Sequence, residues 1–275
     1  MGTHLTGPAV AYNHGRLLFN YLKYVISASN GKGHGIHSPF LYAFVRQVLN
    51  DSTAYPDYAR IEVFRKTLLK DKTVLEVDDF GAGPSRKSSA LRTISSIARS
   101  AAKSPGLAQL LYRIARFYKP QHILELGTSL GISAAYLASG NPDAKLITCE
   151  GSAAIADKAR QHLTSLHCNN TTVVTGNFDQ TLPGVLQQLG RVDLAYIDGN
   201  HRLEPTLRYF EQIREYTTTD SILIFDDIHW SREMENAWEI IRNSPGVTAS
   251  VDLFFLGFIF FRKEFKEPLH YTIRF

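Results

Sequence analysis

The pattern of apolar and polar positions changes near residue 120 of this 275-residue chain. Before that point, apolar residues recur at helical spacing in 16–30, 38–51, 88–102 and 104–118, which predicts four amphipathic helices. Two of them open with Ser-Pro, and a serine N-cap followed by proline is typical of a helix start. Residues 73–87 are predicted to form a short extended piece followed by a loop.

After residue 120, short apolar runs alternate with helical segments. The runs predict strands over 122–126, 145–150, 171–176, 192–198 and 221–227, and a closing hairpin over 247–255 and 257–263. Strands that alternate with helices favour right-handed crossovers and a parallel, doubly wound sheet. The prediction is therefore an α/β protein with a seven-stranded Rossmann-like sheet, an antiparallel C-terminal hairpin at its edge, a domain over 120–275 and a helical N-terminal extension over 1–119.

Several of the predicted strands end in an acid. Glu150 closes the second strand, "AYIDGNH" (195–201) ends the fourth with Asp198, and "ILIFDDIHWS" (222–231) ends the fifth with Asp226 and Asp227. Ligands of doubly wound sheets bind beyond the carboxyl ends of the strands, near the switch in strand order. These acids therefore mark the expected site.

Composition restricts the class of protein. The hydrophobic fraction is 44% and the charged fraction 20%, which is typical of a globular domain. No apolar run reaches about 18 residues, so no membrane span is expected, and the N-terminus lacks the apolar core of a signal peptide. Two cysteines, Cys149 and Cys168, form no disulfide framework or metal quartet, which favours a reducing, cytoplasmic location.

Charge is distributed unevenly. Residues 1–120 hold 17 of the 30 Lys and Arg residues but 7 of the 26 Asp and Glu residues. A basic half is one way to attract nucleic acid, an anionic membrane or an anionic substrate. The alternative, a solvated helical surface that complements the acidic half, is the favoured interpretation.

The first loop of the C-terminal half gives the cofactor class. "ILELGTSLGIS" (123–133) places Gly127 directly after a strand and Gly131 at the helix start, where glycine permits a tight turn and close packing. The spacing differs from the G-x-G-x-x-G of dinucleotide enzymes, and no Gly-Lys-Ser/Thr of a P-loop follows. Glu150, about 20 residues further on, is placed to accept hydrogen bonds from ribose hydroxyls.

At these residues the chain resembles class I S-adenosylmethionine-dependent methyltransferases over about residues 120–263, and "ELGTSLGIS" is most similar to the catechol and caffeoyl-coenzyme A O-methyltransferase branch. The resemblance implies that the glycine loop receives the methionine part of the cofactor, that Glu150 holds the ribose, and that 175–183 borders the adenine. Asn177 stands where the family usually has Asp, with Asp179 as a nearby substitute. The implied cofactor site comprises Glu125, Gly127, Thr128, Ser129, Gly131, Ser133, Glu150, Gly151, Asn177, Phe178 and Asp198.

The three later aspartates suggest a metal. Because neighbouring parallel strands lie roughly 5 Å apart, Asp198, Asp226 and Asp227 are able to converge, and three oxygen ligands suit Mg²⁺ or Ca²⁺ better than zinc. In the metal-dependent O-methyltransferases that the chain resembles, such acids hold a divalent ion that binds the substrate hydroxyls. Alternatively, Asp198 only lines the cofactor pocket, and the Asp226–Asp227 pair caps the next helix.

Two histidines are candidates for the general base. His201 follows Asp198 by three residues, the offset at which the macrolide-sugar O-methyltransferases carry a histidine, and imidazole titrates near neutrality. Alternatively, His201 caps the following helix. His229 is a second candidate base or substrate contact. Trp230 either walls the acceptor pocket or lies in the core, and Trp238 is predicted to be a core residue.

The N-terminal extension is expected to cover the site. Its glycine-rich stretches 31–40 and 78–87 either fold over the cofactor, with His34, His37, Arg86 or Lys87 at the acceptor, or are loops without a ligand; the second is favoured. "GIHSPF" (35–40) resembles the opening segment of uncharacterised bacterial methyltransferases, many from Bacteroidetes, which implies no substrate.

The predicted function is S-adenosylmethionine-dependent O-methylation of a small hydroxylated acceptor, assisted by Mg²⁺ or another divalent cation, with His201 and Asp198 as catalytic residues. No Asp/Asn-Pro-Pro-Tyr/Phe motif follows the fourth strand, which lowers the case for nucleic acid as partner. The alternatives are an RNA or protein methyltransferase that docks through the basic half, and a cofactor-binding protein without activity. The apolar hairpin 247–263 offers an edge for a homodimer.

Overall fold

The computed structural model describes residues 11–29, 31–79, 88–101 and 103–275, and an eight-stranded mixed sheet forms its centre. The strand order is β10-β8-β9-β7-β6-β3-β4-β5, and a separate two-stranded sheet pairs β1 with β2. The strands are β1 (Val74–Asp79), β2 (Ser88–Thr93), β3 (His122–Leu126), β4 (Lys145–Glu150), β5 (Thr171–Thr175), β6 (Val192–Ile197), β7 (Thr217–Asp226), β8 (Ala249–Asp252), β9 (Leu256–Phe260) and β10 (Leu269–Thr272).

Helices cover both faces of the large sheet and build most of the N-terminal part. They are α1 (His14–Ser27), α2 (Pro39–Ala43) continued by a π-helical turn (Phe44–Leu49), α3 (Pro56–Leu68), α4 (Ile94–Ala101), α5 (Pro105–Tyr118), α6 (Ile132–Gly140), α7 (Ala153–Ser165), α8 (Phe178–Leu189), α9 (Leu203–Arg214) and α10 (Arg232–Arg242). No helix of the described residues is long and apolar enough to span a membrane.

The strand order places a switch point at β3. This strand pairs in parallel with β4 on one side and with β6 on the other, so the chain runs outward in both directions from the centre. The loops after β3 and β6 therefore diverge and leave a crevice at the carboxyl edge of the sheet, where doubly wound folds bind ligands.

The central strands are apolar on both faces because helices cover both sides of the sheet. Along β6, Leu194 and Tyr196 point into one core cluster, while Ala195 and Ile197 point into the other. The continuous apolar runs in the sequence have this cause. The prediction of a doubly wound α/β sheet is confirmed.

The predicted strand number was wrong by one. The C-terminal hairpin is present as antiparallel β8 and β9, with β9 paired to β7. It does not form the edge, because β10 pairs in parallel with β8 and covers it. The sequence of β10, "LHYT" (269–272), carries too few apolar residues to signal a strand, and its pairing with β8 decides its conformation. The hairpin therefore has no free edge for the predicted homodimer, and the homodimer stays a prediction.

Residues 88–102 were predicted to be one helix, and this was wrong for the first part. Residues 88–93 form β2, which pairs antiparallel with β1, and only 94–101 are helical. The alternating pattern of a strand is weak here, and the partner strand overrides the helical spacing.

The N-terminal helices pack onto the large sheet. Phe44 lies 5.3 Å from Phe258 and 5.6 Å from Phe260, ring centre to ring centre. In the loop between β8 and β9, Phe254 contacts Tyr21 and Tyr24 of α1. The boundary between 119 and 120 stays a prediction, since helices before it share a core cluster with strands after it.

Candidate active site

A cavity of about 440 Å³ lies at the carboxyl ends of the parallel strands. Its volume is in the range of small-molecule sites. Nine of the residues predicted for the site line it: Gly127, Ser129, Glu150, Gly151, Asn177, Phe178, Asp198, His201 and Asp227. Strand-end positions distant in the sequence thus converge on one crevice, as the sheet topology requires.

Gly127 closes the switch point between β3 and β6. Its φ is +103°, and a Cβ at this position would lie 1.9 Å from the carbonyl oxygen of Asp198. The Asp198 amide in turn donates to the Leu126 carbonyl at 2.8 Å. Only glycine permits this close approach, which leaves backbone rather than side chain facing the cavity.

Three non-glycine residues also adopt a positive φ at the cavity wall. They are Ser129 at 46°, Asn200 at 60° and Asp227 at 52°, each in a loop directly after a parallel strand. Such conformations cost of order 1–3 kcal/mol each and concentrate at ligand sites. Their presence in three loops of one crevice indicates a built site.

Glu150 at the end of β4 joins two of these loops. Its Oε2 accepts from the Ser129 amide at 2.8 Å, and its Oε1 accepts from the Ser152 amide at 3.0 Å. Burial raises the pKa of the Glu150 carboxyl, while these backbone donors act in the opposite direction. Both carboxylate oxygens of Glu150 are therefore held by backbone donors.

Glu125 lies beneath the cavity and is fully buried. Its Oε2 accepts from the Thr148 hydroxyl at 2.5 Å, and Thr148 also contacts the Thr128 hydroxyl at 2.5 Å. Burial raises the pKa of Glu125 to about 8, so the carboxyl is largely neutral at pH 7. Glu125 therefore supports the loop after β3 from behind.

The remaining predicted cofactor residues surround this loop. Thr128 and Ser133 line a smaller adjoining cavity, and Gly131, at φ +86°, begins α6. The Asn177 side chain accepts from the Asp179 amide at 2.9 Å and caps α8. Asp179, the proposed substitute, instead pairs with Arg208 at 2.8 Å.

Asp198, His201 and Asp226 form an acid cluster beside the cavity. One ligand-type atom from each lies within 4.8 Å of the others. His201 Nε2 is 3.4 Å from Asp198 Oδ1, and the Tyr196 hydroxyl donates to Asp198 Oδ2 at 3.1 Å. Asp226 is fully buried, and its Oδ1 has no hydrogen-bond donor among the described residues.

Lys103 enters the same cluster from the segment between α4 and α5. Its Nζ contacts Asp226 Oδ2 and lies 3.4 Å from Asp227 Oδ1. The lysine side chain is 19% exposed and lines the cavity. Sequence reasoning missed this residue, since a single lysine before a Ser-Pro helix start carries no motif.

Charges within the cluster set the protonation of its members. Burial disfavours the charged form of Lys103, but Asp226, Asp198 and Asp227 outweigh it and raise the lysine pKa above its usual range. Burial likewise opposes ionisation of Asp198, yet Lys103 and His201 hold its pKa below the usual range. Burial and the neighbouring Asp198 raise the pKa of Asp226.

His201 shows the pattern expected of an imidazole paired with a carboxylate. Burial favours its neutral form, but Asp198 outweighs burial, and the pKa of His201 is raised. Its ring lies 5.8 Å from that of Trp230, centre to centre. His201 does not cap the next helix, since α9 begins at Leu203 with Arg202 at the cap position.

The alternative roles of the other residues are also decided. Ser231 caps α10 by accepting from the Met234 amide, so Asp226 and Asp227 do not. His229 is absent from the cavity wall, because Asp252 at 2.8 Å and Glu235 at 3.4 Å hold its two nitrogens. Trp238 is a core residue, as predicted.

Residues of the N-terminal extension form the opposite wall of the cavity: Val77, Asp78, Ala90, Arg92, Ser100, Ala101 and Lys103. Arg92 donates to the Ser100 hydroxyl at 2.8 Å, which ties β2 to α4. His34 and His37 are exposed and do not line it. Arg86 and Lys87 lie outside the described residues.

Comparison with known proteins identifies the domain. Residues 124–228 match the family model described as a methyltransferase domain. The fold is similar to that of an O-methyltransferase from Bacillus cereus in complex with S-adenosylhomocysteine, at TM-score 0.53 and 17% identity, covering 80% of this chain and 96% of that one. It is also similar to a methyltransferase from Podospora anserina with bound S-adenosylhomocysteine, at TM-score 0.56 and 13% identity, covering 94% and 100%.

A third similar structure is the O-methyltransferase TomG from Streptomyces achromogenes, solved with S-adenosylmethionine. Its TM-score is 0.50 and its identity 19%, and the match covers 59% of this chain and 82% of that one. None of the curated proteins matches the sequence. Residues 124–228 thus match a methyltransferase domain, the fold is that of the similar methyltransferases, and the resemblance drawn from "ELGTSLGIS" is confirmed at that level.

Proposed function

We propose that this chain is an S-adenosylmethionine-dependent methyltransferase that methylates a hydroxyl oxygen of a small molecule. The observation that carries the proposal is the composition of one cavity: Gly127 and Glu150 on one side, and the His201–Asp198 pair on the other. The first pair suits the cofactor, and the second suits an acceptor that must lose a proton.

The residues present fit the cofactor. Glycine at 127 leaves no side chain between the β3 loop and the cavity, and the Glu150 carboxylate lies at the end of β4, where ribose hydroxyls donate in folds of this type. Phe178 contributes an aromatic face on the adenine side, and Asn177 lies beside it. When bound, S-adenosylmethionine supplies a methyl group on a sulfonium, which needs only an oxygen nucleophile in line with it.

His201 supplies the proton acceptor. Its Nε2 faces Asp198, and the carboxylate stabilises the imidazolium that forms when the acceptor hydroxyl gives up its proton. Asp198 itself is fixed by the Tyr196 hydroxyl and by its own backbone amide on Leu126. The acceptor oxygen is thus deprotonated at a position that borders the cofactor side of the cavity.

The predicted divalent cation is a separate question from O-methylation itself. Asp198, His201 and Asp226 are suitable donors by type, and their ligand atoms lie close enough. The set does not fit as it stands, because the Lys103 ammonium contacts Asp226 within the same cluster. We therefore derive no step through a metal.

The basic N-terminal half gives little support to nucleic acid as the substrate. Several of its cations are already engaged: Arg60 with Asp57, Arg65 with Glu62, and Lys103 with Asp226. Arg113 is buried and donates to the Val48 carbonyl. These cations make contacts within the fold, which favours a small acceptor.

Calorimetric titration of S-adenosylhomocysteine into the full chain tests the proposal. We expect micromolar binding, weakened at least about tenfold in Glu150→Gln, because a charged acceptor for hydroxyl donors is lost. Asp157→Asn, an exposed acid on α7, is the matched control and should bind normally. Wild-type protein that binds no S-adenosylhomocysteine would overturn the methyltransferase proposal.

A panel of hydroxylated small molecules then distinguishes an enzyme from a binding protein. The readout is S-adenosylhomocysteine formed from S-adenosylmethionine. Transfer to phenols or sugar hydroxyls supports O-methylation, whereas transfer only to RNA or protein, with steep salt dependence, would replace it with the docking alternative. Cofactor binding without transfer to any class would favour a non-catalytic role.

A further inference from the structure

The acid cluster contains a cation supplied by the chain itself. Lys103 Nζ contacts Asp226 Oδ2 and is 3.4 Å from Asp227 Oδ1, so one ammonium bridges the two adjacent acids at the end of β7. Asp226 is fully buried, and its other oxygen has no hydrogen-bond donor among the described residues. Without Lys103, this carboxyl group would have no compensating charge from the N-terminal side.

The position of Lys103 conflicts with a divalent ion. Asp198, His201 and Asp226 offer ligand atoms within 4.8 Å of one another, and a cation held by them would share Asp226 with the ammonium. Two positive centres that share one carboxyl group repel each other strongly in a poorly solvated site. The cluster has room for one of them at a time.

The helices on either side of Lys103 are anchored by buried residues. Pro105 begins α5 directly after Ser104, and Ala108, Leu110 and Leu111 of that helix are buried. On the other side, Ile97 and Ala98 of α4 are buried in a cluster with residues of α3 and β1. Because both flanking helices are anchored, the lysine is directed at the carboxyl end of β7 rather than into solvent.

We propose that the ammonium of Lys103 replaces a divalent metal as the positive charge of the acid cluster, so that the site works without a metal. This inference rests on the proposed methyltransferase function in one respect: Lys103 lines the cavity and is placed to donate a hydrogen bond to the acceptor oxygen beside His201. No bond to Lys103 forms or breaks, and its proton stays on the nitrogen.

Binding of Mn²⁺, followed by electron paramagnetic resonance on the metal-stripped full chain, tests the replacement. The wild type should leave the signal of free Mn²⁺ unchanged at up to about millimolar metal, as the ammonium occupies the cluster. Lys103→Ala should bind Mn²⁺ at least about tenfold more tightly, because Asp226 is released to act as a donor together with Asp198 and His201. Lys103→Ala combined with Asp226→Asn should lose that gain.

Two control variants narrow the interpretation. Lys103→Arg keeps the positive charge and should behave as the wild type, while Lys72→Ala removes an exposed lysine elsewhere in the N-terminal half and should change nothing. Circular dichroism establishes that each variant is folded. A folded Lys103→Ala that gains no Mn²⁺ binding would overturn the proposal.

The unchanged chain provides a test even where Lys103→Ala does not fold. Tight Mn²⁺ binding by the wild type that disappears in Asp226→Asn would show that the metal, not Lys103, is the cation of the cluster. The Mn²⁺ readout needs neither acceptor nor cofactor. Failure of S-adenosylhomocysteine to bind would therefore count against the proposed function, and Mn²⁺ binding by the wild type against the role of Lys103.

Discussion

The buried acids at the two ends of the cavity have different partners. Behind the β3–β4 end, the buried Glu125 accepts a hydrogen bond from Thr148, which also contacts Thr128, and burial raises the pKa of Glu125 to about 8. At the β6–β7 end, defined by Asp198, Asp226, His201 and Lys103, buried acids face cations. The buried Glu125 behind the first end is largely neutral at pH 7, whereas the second end carries concentrated charge.

The difference matches the two tasks proposed for the cavity. At the first end, a neutral Glu125 supports the loop after β3 through Thr148 and Thr128, and Glu150 is the acid that faces the cavity. A charged end can move a proton and stabilise the oxyanion that results, because charges in a poorly solvated pocket act strongly on each other. Buried strand-end acids are thus not equivalent, and their partners decide what each one does.

The largest effect is expected where the two ends meet. Gly127→Ala would place a Cβ about 1.9 Å from the Asp198 carbonyl oxygen, at a φ of +103° that alanine rarely adopts. We expect S-adenosylhomocysteine binding to fall at least about 100-fold, as the β3 and β6 loops must separate. Calorimetry measures the change.

Gly184→Ala is the matched control for this substitution. Gly184 lies within α8, and a Cβ there meets nothing within 4 Å. Its binding should equal that of the wild type. Equal binding by Gly127→Ala and Gly184→Ala would contradict the close junction between the two ends.

The next effect belongs to the charged end. His201→Gln removes the proposed proton acceptor, and we expect kcat to fall by about 10²–10⁴-fold with S-adenosylhomocysteine affinity nearly unchanged. Turnover with an acceptor identified from the panel is the measurement. His34→Gln, an exposed histidine outside the cavity, should keep full turnover. An equal loss of affinity and turnover in His201→Gln would indicate a structural role instead.

The smallest effect concerns the buried Glu125 behind the β3–β4 end. It is a change in how the free energy of unfolding depends on pH. Burial gives Glu125 a folded pKa of about 8 against an ordinary value of 4.5, so the folded chain holds this proton more tightly than the unfolded chain. The linked stability is complete below about pH 4.5 and is lost as pH rises through 8. Glu125→Gln keeps a neutral group and should remove this loss, worth at most about 5 kcal/mol.

Urea unfolding at pH 5.5 and pH 9 measures this difference. The wild type should lose more free energy of unfolding between the two pH values than Glu125→Gln does. Glu204→Gln, whose side chain is 85% exposed, serves as control and should follow the wild type. Identical pH dependence of the wild type and Glu125→Gln would show that Glu125 is ionised in the folded chain.

Much of this site could be predicted, because its residues follow directly after short apolar runs that are recognisable in the sequence. Each parallel strand ends where its apolar run ends, and the register between neighbours then brings the following residues to one edge. Gly127, Glu150, Asp198 and Asp227 were predicted from such positions, and all four line the cavity. Even the choice of glycine at 127 follows from the tight turn after β3.

The opposite wall could not be predicted in the same way. Residues 88–93 carry a helical spacing and become a strand only because β1 offers a partner. Lys103 has no motif around it, and its contact with Asp226 depends on how α4 and α5 pack against the sheet. Neither feature leaves a periodic signal in the chain.

The sequence by itself determined the order of the strands and helices from β3 to β9, the doubly wound class and the strand-end half of the site, since these follow from hydrophobic period and turn chemistry over a few residues. Only the tertiary structure decided that β10 closes the sheet edge, that Glu125 is fully buried and therefore largely neutral, and that Lys103 enters the acid cluster. Each of these depends on groups far apart in the chain, whose meeting is fixed by packing and by the electrostatic cost of leaving a buried charge alone.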